Sequence, residues 1–442
     1  MIDYTYAQLQ NPWWDNPGEI ENDEKIKEYL SLTYKYWPKN VLDLPIRNSD
    51  INIITGPRQT GKSTAIKLYI RNLLKSKFPS RAILFFNCDA LSKKQEIIDL
   101  IIEFDRRTVK TIKVIFLDEV SSIPNWSYAI KWLSDSGILK TTTVFLTGSS
   151  SILLKRSGEF LAGRRNKGKN IQFLPISFKD FLKLKGVDVN NKGLKTLIQT
   201  ERLFEEFLIY GGFLRNINKK PPENDLYIQT LRSDLYKARK KEDFLKEVVK
   251  KILASLTSQT SYTNVAEEAE LGSKNTAIEY LTFLTDSFFL KETKFYDINQ
   301  NRVLHKKNKK FYTTDPYLIW LFNSFISGVL SFSVMEKFYN APSEKAKLVE
   351  NFIASELNKS HVDFYYYQNS SELDFYLPKE KLAIEVKYKN RITSVDLQPL
   401  NNKSIPKKVK KIIVTKNQAP NKTGGISLIP VELVTLSSYW PS

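Results

Sequence analysis

The stretch INIITGPRQTGKST, residues 51–64, decides the fold of the first part of the chain. The run INIIT predicts a short buried strand, and the apolar pattern from about residue 62 to 76 predicts a helix. Between them, GPRQTGKS fits the phosphate-loop pattern G-x-x-x-x-G-K-[ST] in full, in the strand–loop–helix context that this pattern requires. The alternative is a chance match in a lysine-rich chain, and the context argues against it.

This loop predicts a site for a nucleoside triphosphate and Mg²⁺. Its glycines let the backbone curl so that N–H groups face phosphate, and the helix N-terminus adds its positive end. We expect Lys62 to reach the β- and γ-phosphates and Ser63 to be a Mg²⁺ ligand. The predicted nucleotide-binding residues are Gly56, Pro57, Arg58, Gln59, Thr60, Gly61, Lys62, Ser63 and Thr64.

A second motif, VIFLDEV at residues 114–120, places two carboxylates at the end of an apolar strand. We expect Asp118 to hold the hydrated Mg²⁺ and Glu119 to polarise the attacking water. The alternative is that both acids cap the next helix. A third apolar strand ends in LTGSSS, where Ser149 or Thr147 is predicted to hydrogen-bond the γ-phosphate or the water.

Strand-like runs at residues 81–86, 113–118 and 142–147 alternate with helical patterns. Apolar strands that alternate with helices predict an α/β fold with a parallel, doubly wound sheet. Ligands bind such sheets at the carboxyl ends of the strands, which is where both motifs lie.

Several segments, in this order, resemble the archaeal and bacterial AAA+ superfamily ATPases of the predicted-ATPase type. They are QNPWW, GPRQTGKST, the DEV run followed by IPNWSYAIKWL, LTGSSS, LAGRRNK, LPISF, YGGFLRN and KKFYTTDPYL. The resemblance covers most of the chain. It implies an ASCE-type P-loop ATPase core with a catalytic glutamate on the strand next to the phosphate loop.

The resemblance also implies a role for the arginines of LAGRR. Arg164, or equally Arg165, would stabilise transition-state charge in its own active site or in that of a neighbouring molecule, and action on a neighbour would require a homo-oligomer. The alternative is a basic loop on the surface.

Three helical segments followed by an apparent hairpin, residues 246–314, predict a winged-helix domain, and the family resemblance points the same way. The recognition helix would span residues 273–285, with Lys274 and Asn275 able to contact phosphate or base edges. The expected wing is basic, which suits phosphate binding with little sequence discrimination. Its residues are Arg302, His305, Lys306, Lys307, Lys309 and Lys310. A protein-docking role is the alternative.

The stretch SELDFYLPKEKLAIEVKYKN, residues 371–390, carries charges in two apolar runs. Asp374, Glu385 and Lys387 match D-x(n)-E-x-K on adjacent strands, which resembles the PD-(D/E)xK nuclease fold. In this reading two carboxylates hold Mg²⁺ or Mn²⁺ and the lysine orients a water. Glu350 on an earlier helix would add another acid, with Glu356 second and Glu372 on the face of Asp374. A solvated strand face with an ion pair is the alternative.

Composition supports a polyanionic partner. Lys and Arg outnumber Asp and Glu by 67 to 48, a formal charge of +19, so we expect nucleic acid, and in particular DNA, as the first candidate and an acidic membrane surface as the second. The alternative is a basic surface that binds neither. The single cysteine, Cys88, excludes an intrachain disulfide, and with only two histidines it also excludes a Cys/His zinc site. The N-terminus lacks a signal-peptide pattern, and residues 315–334 predict a buried helix rather than a membrane span, so a cytoplasmic location is expected.

The predicted organisation has six parts. They are an N-terminal segment packing on the ATPase (1–50), the ATPase core (51–177), a helical connector (178–245), the winged helix (246–314), a connecting helix (315–340) and an α/β restriction-endonuclease-like domain (341–442). The predicted function is ATP hydrolysis with Mg²⁺ that drives or gates action on DNA, with metal-dependent cleavage. The alternatives are an ATP-dependent DNA-binding switch with an inactive nuclease fold, and a protein-directed ATPase whose accessory domains dock partners.

Overall fold

A computed structural model shows two compact units, Met1–Leu174 and Pro175–Ser442. The described residues are 4–108, 111–149, 161–191, 193–219, 224–329, 339, 341–416 and 420–441. Each unit has its own sheet and its own hydrophobic core.

The first unit contains a parallel sheet flanked by helices. Its described strands are β1 (Ile51–Thr55), β2 (Ile83–Asn87), β3 (Lys113–Asp118), β4 (Thr142–Gly148) and β5 (Asn170–Gln172). Its described helices are α1 (Thr5–Gln10), α2 (Glu24–Ser31), α3 (Lys39–Leu42), α4 (Lys62–Lys75), α5 (Lys94–Arg107) and α6 (Trp126–Asp135).

The described strands of this sheet lie in the order β2-β3-β4-β1-β5, and each neighbouring pair is parallel. The predicted α/β fold with a parallel sheet is therefore confirmed for this unit. One detail of the prediction is wrong: β3, which ends at Asp118, does not pair with β1, because β4 lies between them. No apolar run in the sequence predicts β5, which is only three residues long.

Helices cover both faces of this sheet, which explains why its central strands are continuous apolar runs. Along β1, Ile53 faces a core formed with α5 and α6, whereas Ile54 faces a second core formed with α4. The segment before β1 belongs to the second core through Trp13, a fully buried side chain whose indole N–H donates to the carbonyl of Ile83 at 3.3 Å.

The second unit begins with a run of helices and continues with mixed structure. Its described helices are α7 (Phe178–Leu184), α8 (Leu194–Tyr210), α9 (Leu214–Asn218), α10 (Asn224–Lys237), α11 (Glu242–Ala254), α12 (Tyr262–Glu268), α13 (Lys274–Asp286), α14 (Tyr317–Ser327), α15 (Pro342–Lys359) and α16 (Val431–Val434). Its described strands are β6 (Leu290–Asp297), β7 (Arg302–Thr313), β8 (Tyr365–Gln368), β9 (Glu372–Leu377), β10 (Leu382–Val386), β11 (Lys410–Thr415), β12 (Asn421–Thr423) and β13 (Ile426–Pro430).

The described strands of this unit form one sheet, in the order β12-β13-β11-β10-β9-β8-β6-β7. The β6–β7 hairpin follows three helices, α11, α12 and α13, and joins the sheet where Phe295 of β6 pairs with Tyr366 of β8. One continuous sheet thus contains strands from the predicted winged helix and from the predicted nuclease-like domain. The domain boundaries within this unit stay a prediction.

The helix α14 is buried along most of its length, from Tyr317 to Phe325. The side chain of Asp315 accepts a 3.1 Å hydrogen bond from the backbone N–H of Tyr317, the first residue of this helix, and it pairs with Lys359 at 2.9 Å. Residues 330–338 and 340 of the predicted connecting helix lie outside the described residues. Among the residues that the structure does describe, no helix is long and apolar enough to cross a membrane.

Candidate functional site

The phosphate loop, residues 56–61, has a shape that two of its residues can supply only as glycines. A Cβ on Gly56 would lie 2.1 Å from the carbonyl oxygen of Phe173. Gly61 has φ +96°, in the left-handed region, and it is the residue from which α4 starts. The loop is therefore closely packed on one side and opens directly into a helix N-terminus, as a phosphate cradle requires.

Lys62 is turned into this loop. Its ammonium donates to the carbonyl oxygens of Gly56 and Pro57, each at 2.9 Å, and the side chain is buried. Thr60 tightens the same turn by donating its hydroxyl proton to the Pro57 carbonyl at 2.8 Å. The ammonium is thus held among loop oxygens, which phosphate oxygens can replace.

The two predicted Mg²⁺ ligands line one cavity. This cavity has a volume of about 360 Å³, and its wall includes Ser63 from the start of α4 and Asp118 from the end of β3. A hydroxyl and a carboxylate are donors that Mg²⁺ accepts while keeping water ligands. The arrangement fits a hydrated Mg²⁺ beside a nucleotide.

Thr147 connects the acids of the second motif. Its hydroxyl donates to Oδ1 of Asp118 in a short hydrogen bond and accepts the backbone N–H of Glu119 at 2.9 Å. Glu119 has φ 52°, so the chain turns sharply just after β3. Thr147 is therefore occupied in positioning the acids, which leaves Ser149 as the hydroxyl predicted to meet phosphate or water. Ser150 and Ser151 lie outside the described residues.

Lys67 is a residue that the sequence analysis missed. It lies one helical turn after Ser63, lines the same cavity, and pairs with Asp23 at 3.1 Å. Its ammonium lies 3.7 Å from the ring centre of Phe85. Burial lowers the pKa of Lys67, and Asp23 opposes that shift. The available signal was a lysine on the buried face of α4, the helix that follows the loop.

The two arginines of LAGRR make different contacts within the first unit. Arg165 donates from Nε to the carbonyl of Ile51 at 3.0 Å, at the start of β1, and burial lowers its pKa. The loop leaves the other end of that strand, about 13 Å away. Arg164 pairs with Asp135, at the end of α6, at 2.5 Å. Arg165 thus stabilises its own sheet, and action by Arg164 on another molecule's site stays a prediction.

In the second unit, several predicted nucleic-acid contacts are exposed. Lys274 and Asn275 lie in the first turn of α13, behind the cap formed when the Ser273 hydroxyl accepts the Thr276 N–H at 3.1 Å. The other exposed members of the predicted set lie on the hairpin: Arg302, His305, Lys306 and Lys307.

The predicted wing is wrong for two of its lysines, because Lys309 and Lys310 are buried. Lys309 donates to the carbonyls of His305 and Lys307, and its backbone pairs with Thr260. Lys310, the next residue, points to the opposite face of β7. Neither ammonium is available to a phosphate backbone.

We use the term carboxylate cluster for Glu350, Glu372, Asp374 and Glu385. The ammonium of Lys310 lies 3.2 Å from Glu350, 2.5 Å from Glu372 and 3.5 Å from Asp374.

The strand register brings the other predicted residues together. Asp374 on β9 accepts the backbone N–H of Val386 at 2.9 Å, and its own N–H donates to Glu385 on β10 at 3.3 Å. Lys387 forms a short ion pair with Glu385. The three residues singled out in residues 371–390 are therefore neighbours, as their spacing predicted.

Burial and charge strongly perturb this cluster. Burial, together with the charge of Asp374, raises the pKa of Glu350 to about 7 and that of Glu385 well above its usual value. Burial acts to lower the pKa of Lys310, but the neighbouring Tyr312 and acids outweigh it and raise that pKa well above its usual range. Perturbed acids near a basic residue are typical of functional sites and also of structural ion clusters.

Glu356, the second choice for the helical acid, lies elsewhere. It accepts the backbone N–H of Phe178 at 2.9 Å and pairs with Lys359 at 3.0 Å, in a buried group that also contains Asp315. Glu350 is therefore the acid of α15 that joins the carboxylate cluster.

The carboxylate cluster does not fit a metal ion as it stands. Within the described ranges of the chain, no group of three or more His, Cys, Asp or Glu side chains is arranged to hold one. The acids converge on an ammonium instead. The predicted metal ligands Glu350, Asp374 and Glu385 are close in space, but they are already paired with Lys310 and Lys387.

Three family matches divide the chain. Residues 48–182 match the AAA domain, residues 201–322 match a domain of unknown function, DUF8612, and residues 345–434 match a second one, DUF4143. The AAA match contains the phosphate loop and the DEV motif.

Two relatives extend over several of these regions. An uncharacterized protein of Methanocaldococcus jannaschii is 27% identical over 386 residues, 78% of this chain and 76% of that protein. An uncharacterized protein of Haemophilus influenzae is 26% identical over 282 residues, 60% of this chain and 67% of that protein.

The solved structures that the chain resembles include that of the Aeropyrum pernix ORC2 protein, with a TM-score of 0.38 and 12% sequence identity. The matched region covers 70% of this chain and 93% of that protein. The Pyrobaculum aerophilum Cdc6p has TM-score 0.26 and 13% identity, and covers 75% of this chain and 99% of that one. TM-scores this low do not establish a shared fold over the whole chain. The family match and the geometry of the phosphate loop agree, and the chain carries a P-loop ATPase domain of the AAA type.

Proposed function

We propose that this protein binds and hydrolyses ATP with Mg²⁺ and uses the reaction to drive or gate action on DNA. The observation that carries the proposal is the phosphate loop with Ser63 and Asp118 on one cavity wall. The basic charge of the chain, +19, supports DNA as the partner.

The residues of the site suggest how each would act. Lys62 would exchange its two carbonyl partners for phosphate oxygens and neutralise part of their charge. Ser63 and Asp118 would hold Mg²⁺, which supplies further charge neutralisation when bound. Glu119, positioned by the hydrogen bond from its N–H to Thr147, would orient the attacking water.

DNA binding would use the exposed basic residues of the second unit. Three helices followed by a hairpin support a winged helix, with Lys274 and Asn275 at the start of α13 and with Arg302, Lys306 and Lys307 on the hairpin. A contact made mainly through phosphates loses affinity steeply as salt rises.

Metal-dependent cleavage by the carboxylate cluster is a second candidate activity. It is favoured by the convergence of Asp374, Glu385 and Lys387 on adjacent strands, as in the nuclease fold that their spacing resembles. The alternative is a DNA-binding switch in which this fold does not cut. A third alternative is a protein-directed ATPase whose accessory domains dock partners.

The first experiment measures binding and cleavage together. The purified protein is mixed with labelled linear, forked and four-way DNA, with Mg²⁺ or Mn²⁺, with and without ATP. Lys62→Ala tests the phosphate loop and Asp374→Ala tests the carboxylate cluster. ATP hydrolysis that is lost in Lys62→Ala, together with salt-sensitive DNA binding, supports the proposal.

The outcomes separate the candidates. Cleavage by the wild type that Asp374→Ala abolishes supports the nuclease, and the Lys62→Ala reaction then shows whether ATP gates it. ATP hydrolysis with DNA binding and no cleavage favours the switch. ATP hydrolysis without DNA binding rejects DNA as the partner and favours the protein-directed ATPase.

A further inference from the structure

Lys310 takes the position that a metal ion would need in the carboxylate cluster. The lysine belongs to β7, whereas the acids around it belong to α15 and β9. Its side chain has no exposed surface, and its ammonium contacts a carboxylate oxygen of each of Glu350, Glu372 and Asp374. A buried ammonium with three carboxylate neighbours is a bound cation supplied by the chain itself.

The backbone around Lys310 is firmly held. Asn351 of α15 accepts the backbone N–H of Thr313 at 2.8 Å and donates to its hydroxyl at 2.7 Å. The Tyr312 hydroxyl donates to Glu350 at 2.8 Å. The strand therefore cannot easily leave the helix, and the ammonium can leave the acids only by a change in its side-chain conformation.

We propose that Lys310 is an internal counter-ion that competes with a divalent metal ion for Glu350, Glu372 and Asp374. The inference rests on the proposed nuclease-like site and adds how that site is controlled. A divalent ion and the ammonium cannot occupy the same space, and their like charges repel at contact distance. In the conformation described, the site is closed to metal. Removal of the lysine charge would leave three carboxylates without their counter-ion, and carboxylate oxygens are ligands that Mn²⁺ accepts.

The test measures Mn²⁺ binding to the full chain without nucleotide. The amount of free Mn²⁺ is measured from its electron paramagnetic resonance signal. Lys310→Met keeps an unbranched side chain that is one heavy atom shorter and removes its charge. We expect this variant to bind Mn²⁺ at least about tenfold more tightly than the wild type. Lys310→Arg, which keeps the charge, should match the wild type, and Lys310→Met combined with Asp374→Asn should lose the gain.

A folded Lys310→Met variant with unchanged Mn²⁺ affinity would overturn the proposal. If that variant does not fold, Lys310→Met with Glu372→Gln removes one of the uncompensated acids and is measured in its place. A second measurement uses the single variant Asp374→Asn, in which Lys310 is present. Its Mn²⁺ affinity should equal that of the wild type, and a clearly lower Mn²⁺ affinity would show that metal binds with Lys310 in position. The readout is metal binding, so failure to cut DNA leaves this test intact.

Discussion

The phosphate-loop site and the carboxylate cluster both place acids in or just after a strand, but they balance the negative charge differently. In the first, Asp118 accepts a hydrogen bond from the neutral hydroxyl of Thr147, and Lys62 donates to backbone carbonyls. This arrangement keeps the carboxylate on a cavity wall beside Ser63. The phosphate-loop site can therefore accept Mg²⁺ and a nucleotide phosphate together.

In the carboxylate cluster, lysines from the same chain supply the positive charge. Lys310 contacts Glu350, Glu372 and Asp374, while Lys387 pairs with Glu385. Buried acids with such partners form a stable group that resists exchange, because removal of one partner leaves charge uncompensated. Acids in a sheet therefore do not by themselves identify a metal site. Whether lysines from the same chain already neutralise these acids determines whether a metal ion can bind.

The largest expected effect tests whether the phosphate-loop site is complete in one molecule. Arg164→Ala should lower the turnover number for ATP hydrolysis by about 10³-fold if the arginine acts on a neighbour, since charge in the transition state loses a partner. Turnover of the wild type should then rise with protein concentration. Arg165→Ala is the matched control: it removes the hydrogen bond to Ile51 and should lower thermal stability. A full rate in Arg164→Ala would assign that residue to the surface pair with Asp135.

Glu119→Gln should lower the turnover number by about 10²–10³-fold, because an amide cannot polarise the attacking water as a carboxylate does. Binding of ATP, measured by fluorescence of a labelled nucleotide, should change little. Asp89→Asn, at an exposed acid after β2, is the control and should keep full activity. A Glu119→Gln variant with normal turnover would show that the acid after β3 has no catalytic role.

Thr147→Val tests the contribution of the uncharged Thr147 hydroxyl to the phosphate-loop site. It removes a hydroxyl that contacts both Asp118 and the backbone of Glu119, so turnover should fall by about 10–100-fold and the free energy of unfolding by about 1–3 kcal/mol. Thr143→Val is the matched control in the same strand, because the Thr143 hydroxyl accepts the backbone N–H of Arg47 and donates to the Arg47 carbonyl, away from the two acids. The control should lose stability and keep turnover; equal turnover losses would refute the positioning role.

Local pattern was enough to predict the first site. Its loop and its following helix are contiguous, so residues 51–64 specify strand, turn and helix within one short segment. The parallel register then brings Asp118 next to the strand that carries Thr147. The strand order could not be predicted in the same way. The position of β4 between β1 and β3 depends on pairing between residues that are far apart in the sequence, which local patterns do not specify.

The second site shows the limit of the same reasoning. Alternation along β9 and β10 placed Asp374 and Glu385 correctly, since facing is a local property of strands. The basic run HKKNKK, residues 305–310, predicts an exposed wing for Lys310, whereas the structure buries this residue. Its burial depends on the pairing of β7 within the sheet and on α15, whose acid Glu350 is 40 residues further along the chain. Charge patterning alone cannot distinguish a solvated lysine from one that neutralises a distant cluster.

The smallest expected effect is the pH dependence of stability that Glu432 of α16 causes. Unlike the acids of the carboxylate cluster, Glu432 has acidic neighbours. Burial, then the charges of Glu201 and Glu205, raises its pKa from 4.5 to about 7. A folded-state pKa above the unfolded value means that the folded chain holds this proton more tightly. The contribution of Glu432 to stability is therefore most favourable at low pH and declines as pH rises from about 4.5 to about 7.

Glu432→Gln removes this decline. The free energy of unfolding, measured by urea titration from pH 4 to pH 8, should be similar in the variant and the wild type near pH 4. At pH 8 the variant should be more stable by about 2 kcal/mol, because the wild type then carries a partly buried charge beside like charges. Glu247→Gln, on an exposed face of α11, is the control and should follow the wild-type profile. A variant that parallels the wild type across the whole range would show that other cations neutralise this acid, as lysines do in the carboxylate cluster.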